Sequence, residues 1–81
     1  MPILAGRLSA EAMSVEFIGD SIWVVLAEGR EISAPLEWFP RLRDASEAQR
    51  RNWRLIGRGV GVRWPDLDED VSVNALLGLP T

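Results

Sequence analysis

Hydrophobic and polar positions change rhythm along this chain, and each change marks an element. Met13 to Gly19 alternates loosely and predicts a strand, with Gly19-Asp20 as a turn. The run from Ser21 to Ala27 is apolar on both faces: Ile22, Val24 and Leu26 on one, Trp23, Val25 and Ala27 on the other. A half-exposed strand would alternate with polar residues, so this one is expected to be covered on both sides. Glu28-Gly29 turns the chain into Arg30–Ala34, where Glu31 and Ser33 alternate with Ile32 and Ala34. Two tight turns between three such runs predict a meander.

The second half is more broken. Pro35 and Pro40 bracket Leu36–Phe39, which reads as one helical turn with Leu36 and Phe39 inward. Ser46 with Gln49 three residues on fits a capping box, opening a helix that runs to about Trp53. Trp53–Gly57 and Val60–Trp64 are two further strand candidates around Arg58-Gly59, and Pro65 ends the second. Asp66–Asp70 reads as an acidic loop. Ser72 or Asn74 opens a last short helix through Leu77, closed by Gly78. The expected fold is α+β, a small antiparallel sheet with short helices in the order βββ-α-ββ-α. It forms one domain over residues 12–79, after a loose arm over residues 1–11.

Size sharpens this picture. An 81-residue chain buries only about 60% of its unfolded surface, so its stability is marginal. No Cys is present to staple it. Four Trp compensate in part, since each can bury about 150–250 Å². Self-association as a homodimer is a second route to more burial. No apolar stretch is long enough to span a membrane. The start lacks a basic region followed by an apolar core, so a secretory signal is not expected and a cytoplasmic protein is.

Charge is unevenly spread. Residues 1–40 carry two Arg and six acids, residues 41–63 seven Arg and two acids, and residues 64–81 four acids and no Arg. The basic middle can pair with the acidic ends inside the fold, or the two can form a bipolar surface for a charged partner. All nine basic residues are Arg, the side chain suited to planar, bidentate contacts. The net charge of −3 speaks against non-specific nucleic-acid binding.

Catalytic chemistry has little to work with. The chain has no His, Cys or Lys, which removes the usual general base, thiol nucleophile and amine. An enzyme is not expected, and no cofactor is implied. Asp66, Asp68 and Asp70 match the start of a calcium loop, but Val71 stands where Gly is needed and Leu77 where Glu is needed. Gly57, Gly59 and Gly61 spell a GxGxG, but no long helix follows, so a glycine-rich hairpin turn is the expectation. Arg50, Arg51, Arg54, Arg58 and Arg63 interleave with Trp53 and Trp64, a pattern that suits single-stranded nucleic acid. Helical spacing puts Arg50 and Arg54 on one face and Trp53 on another, which favours the two Trp as core anchors.

The segments PLEWFPRL, NWRLIG and WPDLDEDVSVNALL resemble a small bacterial family, domain of unknown function 2442, over residues 13–78. The resemblance implies a small α+β unit with an antiparallel sheet. Family members often carry His where Arg63 stands and Glu where Asn74 stands. Genes of the family often sit beside a second small family of unknown function, numbered 4160, which implies a two-gene pair of toxin–antitoxin type. The expectation is therefore a non-enzymatic protein-interaction module, the antitoxin-like half of such a pair. Its expected contact residues are Trp38, Arg41, Arg43, Arg54, Arg58 and Arg63, with Asp66, Asp68 and Asp70 as the acidic counterpart. The alternatives are a DNA- or RNA-binding regulator and a carboxylate metal site at Asp66–Asp70.

Overall fold

In the computed structural model residues 10–78 are described. The expected arm falls largely on residues 1–9, outside that span. Strands β1 (Ala12–Ile18), β2 (Ser21–Leu26) and β3 (Glu31–Pro35) form one antiparallel sheet in the order β1-β2-β3. A 3-10 turn (Leu36–Trp38) and helices α1 (Pro40–Arg43) and α2 (Glu47–Arg51) lead to a second antiparallel sheet. Its strands are β4 (Arg54–Ile56), β5 (Gly61–Trp64) and β6 (Glu69–Ser72), in the order β4-β5-β6. A 3-10 turn (Pro65–Leu67) joins β5 to β6, and helix α3 (Val73–Leu76) follows. The α+β class holds, with two three-stranded sheets.

One apolar cluster joins the two sheets. Ile22, Val24 and Leu26 of β2 are buried, together with Val15 and Ala34 of the neighbouring strands. Val62, Trp64 and Val71 enter from the second sheet, and Leu36, Leu42 and Val73 from the short helical pieces. Three hydrogen bonds tie β1 to the β4–β5 turn, α3 to that same turn, and β5 to α2. The Ala12 N–H donates to the Gly59 carbonyl at 2.7 Å, the Val73 N–H to the Val60 carbonyl at 3.0 Å, and the Trp64 indole to the Arg50 carbonyl at 2.9 Å.

Three expectations need correction. Strand β2 is covered on one face only: Trp23 and Val25 are half-buried and Ala27 is exposed. Across the sheet they meet Ser14, Glu16, Glu31 and Ser33, a polar outer face. The expected helical turn between Pro35 and Pro40 is the 3-10 turn Leu36–Trp38, and Pro40 then opens α1, where its missing N–H costs nothing. Helix α2 has the expected capping box, with Ser46 Oγ accepting from the Gln49 N–H at 3.1 Å and Gln49 Oε1 accepting from the Ser46 N–H at 2.9 Å, but it ends at Arg51. The acidic segment is not all loop. Glu69–Ser72 pairs with β5, because Val71 is buried opposite Val62 and Asp70 sits opposite Arg63. Burial and a cross-strand ion pair outweigh the low strand propensity of Asp and Glu.

Candidate interaction face

Strand alternation sorts the second sheet into two faces. Val62 and Val71 stand opposite one another and are buried on the inner face, while Leu55, opposite Val62 on the edge strand β4, stays 39% exposed. The outer face carries a row of Arg54, Arg63 and Asp70, and beside it a row of Ile56, Gly61 and Ser72. Gly61 leaves a gap in the second row. A Cβ there would lie 3.3 Å from Ile56 Cδ1 and 3.0 Å from the Val71 carbonyl oxygen. The gap floors a shallow depression of 380 Å³ bounded by Ile56, Val60, Asp70 and Ser72.

Arg54 directly opposite Arg63 places two like charges across a strand pair, an arrangement that costs free energy unless one is neutralised. Arg63 is neutralised: its guanidinium donates to Asp68 at 2.9 Å and to Asp70 at 2.7 Å. Those hydrogen bonds raise its pKa above the ordinary Arg value. Asp68 reaches Arg63 from a left-handed backbone conformation, φ 50°, at the end of the 3-10 turn. Arg54 and Arg58 form no ion pair among the described residues. They border exposed apolar side chains, Ile56 and Val60, the latter 58% accessible. Two uncompensated cations beside two exposed aliphatic residues make a surface with polar direction and apolar area.

The other expected contact residues have different places. Arg41 leaves α1 to donate to the carbonyls of Asp68 at 2.7 Å and Leu67 at 3.3 Å, so it holds the acidic turn. Asp66 accepts from Asn52 at 3.0 Å. Arg43 pairs with its neighbour Asp44 at 2.9 Å and lines a separate depression with Asp20, Pro35 and Glu37. The hydrogen bond from Arg43 holds the Asp44 carboxyl below its ordinary value, and the same contact raises Arg43. Trp38 stands on the 3-10 turn after β3 with 65% of its surface exposed. The structure thus gathers Arg54, Arg63 and Asp70 on the second sheet, with Asp68 and Arg58 on its two connecting turns. It leaves Trp38 and Arg43 on the segment after β3.

Sequence reasoning missed Ile56 and Val60. The signal was the two-residue period of Arg54–Ile56, which sets Ile56 on the face of Arg54 and away from Leu55. Trp64 cannot stack on a base, because its ring is fully buried and its N–H is committed to Arg50. The carboxylates of Asp66, Asp68 and Asp70 do not converge: Asp66 accepts from Asn52, and the other two face Arg63. Among the described residues no group of three His, Cys, Asp or Glu side chains is placed to hold a metal ion. Nor is any described helix long and apolar enough to cross a membrane.

Comparison with known proteins gives a family and a fold. The model of the family described as "Protein of unknown function (DUF2442)" matches residues 12–79. The crystal structure of a protein of unknown function from Rhodospirillum rubrum is 25% identical, covering 85% of this chain and 87% of its own, with a TM-score of 0.69. The solution structure of an uncharacterised protein from Chromobacterium violaceum is 28% identical, covering 95% of this chain and 72% of its own, with a TM-score of 0.73. No curated protein matches the chain.

Proposed function

Since this chain belongs to the DUF2442 family of proteins of unknown function, we propose that it is a non-enzymatic interaction module that docks a partner protein on the outer face of its second sheet. The observation that supports this is the pair of uncompensated cations, Arg54 and Arg58, beside the exposed Ile56 and Val60. The partner that fits is a surface with carboxylates around an apolar centre. Our candidate is the product of the neighbouring gene, with this chain as the antitoxin-like half of the pair in the cytoplasm.

Light scattering on the chain alone and mixed with that gene product tests the reading. A mixed complex is expected, and Arg54→Glu combined with Arg58→Glu is expected to abolish it while the melting temperature is unchanged. A complex that survives the double substitution overturns this face, and a chain that dimerises and ignores its neighbour overturns the pairing. The same two cations also suit a nucleic-acid regulator. A gel shift that weakens steeply with salt would favour that second reading.

A further inference from the structure

An open groove of 530 Å³ runs between β1 and α2, away from the second-sheet face. One wall is Val15, Glu16, Phe17 and Ile18; the other is Glu47, Arg50, Arg51 and Trp53. Side chains of successive strand residues point to opposite faces, so four consecutive residues can all line one groove only if it follows the edge of the strand. Strand β1 is such an edge.

The hydrogen-bond pattern shows which main-chain groups face that edge. The Ala27 N–H donates to Glu11 at 2.8 Å, toward β1, whereas the Leu26 N–H donates to Arg30 at 2.8 Å, toward β3. The alternation makes Ser21, Trp23 and Val25 the β2 residues that bond β1, and their partners are Ile18, Glu16 and Ser14. Val15 and Phe17 therefore turn their N–H and C=O groups away from β2 and into the groove. Among the described residues neither has a backbone partner outside the β1–β2 ladder.

A charge stands over this edge. The Arg50 guanidinium lies 5.3 Å from the centre of the Phe17 ring. It is held there by the carbonyls of Leu42 at 2.9 Å and Arg43 at 2.7 Å. Arg51 is neutralised by Glu47, but no carboxylate among the described residues pairs with Arg50.

We propose that the groove is a strand-addition site for an extended peptide of another protein, paired with β1 at Val15 and Phe17 and carrying an acidic side chain toward Arg50. Unpaired main-chain groups at strand spacing select an extended backbone, and the fixed cation selects a carboxylate. Phe17 and Trp53, both partly buried, offer apolar surface to an alternate side chain of the guest. A second copy is a poorer occupant, because antiparallel β1–β1 pairing brings the two Glu16 side chains and the two Arg50 guanidinium groups toward one dyad.

The test is selection of a random decapeptide display library on the full chain, followed by nuclear magnetic resonance titration of the most enriched peptide. Enriched sequences are expected to alternate apolar and polar residues and to carry an acid. The Val15 and Phe17 amides are expected to shift and to exchange more slowly. Val15→Pro removes one outward donor without removing a bond to β2, and should weaken binding about tenfold. Arg51→Glu, at an exposed position, breaks the pair with Glu47 and leaves two carboxylates at the groove mouth, and should weaken the acidic peptide by a similar factor even if the proline variant does not fold. Failure to enrich any peptide, shifts confined to Arg54–Val60, or unchanged binding by Arg51→Glu would each overturn the proposal.

Discussion

The indole N–H of Trp64 donates to the main-chain carbonyl of Arg50 at 2.9 Å, and through that bond the second sheet holds α2 in place. The same Trp64 ring meets Phe17 of β1 edge-on, with centroids 6.2 Å apart. Arg50 lies over Phe17 in turn and ties off the last carbonyls of α1. One buried ring thus links β5, α2 and β1.

Two substitutions separate the ring from its donor. Trp64→Phe keeps an aromatic body and leaves the Arg50 carbonyl without its partner, at a cost of about 1–3 kcal/mol. Trp64→Ala also empties the core and should cost about 3–5 kcal/mol. Urea unfolding midpoints measure both, and equal losses for the two variants would mean that the hydrogen bond carries the whole effect.

Gly59 predicts a contrast with Gly19. Both have positive φ, 103° and 57°. A Cβ at Gly59 would lie 2.4 Å from the Ala12 carbonyl oxygen, whereas at Gly19 it would meet open space. Gly19→Ala should therefore cost only its backbone strain, about 1 kcal/mol. Gly59→Ala must also break the close approach of β1 to the β4–β5 turn, and should lose at least twice as much. Thermal melts of the two variants side by side decide the matter.

The sequence carried the elements better than the faces. Alternation in the first and third strands, the Ser46–Gln49 capping box and the Gly59 turn were all legible, because each depends on neighbours within a few residues. Strand β6 was hidden, because Glu69 and Asp70 prefer loops and become strand only through Val71 against Val62 and Asp70 against Arg63. The outer side of β2 was misjudged because periodicity reports apolar positions and not how many layers exist to cover them. At the candidate face the ion pairs of Arg63 needed the register of β5 against β6, and that register follows from the Pro65–Leu67 turn that joins them.

Asp44 gives the chain one acid-sensitive contact. Its carboxyl is held below the ordinary value by the hydrogen bond from Arg43. A group with a lowered folded pKa contributes its stability above the unfolded value and loses it as pH falls through the folded one. Wild type and Asp44→Asn should therefore differ slightly near neutrality and converge in strong acid. Urea midpoints across that range test this, and a gap that widens on acidification would contradict the sign.

Arg54 offers the sharpest separation of stability from binding. It stands directly opposite Arg63, whose charge is already taken by Asp68 and Asp70. Arg54→Asp sets a carboxylate beside a cluster that already carries a net negative charge, Arg63 with Asp68 and Asp70, so at this exposed position it should change the stability of the sheet by no more than a few tenths of a kcal/mol. If the outer face docks an acidic partner, the same change places a carboxylate where the partner brings its own. Binding should then fall about tenfold or more while the melting temperature is nearly unchanged. Calorimetric titration of the partner against both proteins reads the first quantity, and a thermal melt reads the second. A variant that is less stable and binds as before would show that Arg54 serves the fold, and would remove the second sheet from consideration as the interface.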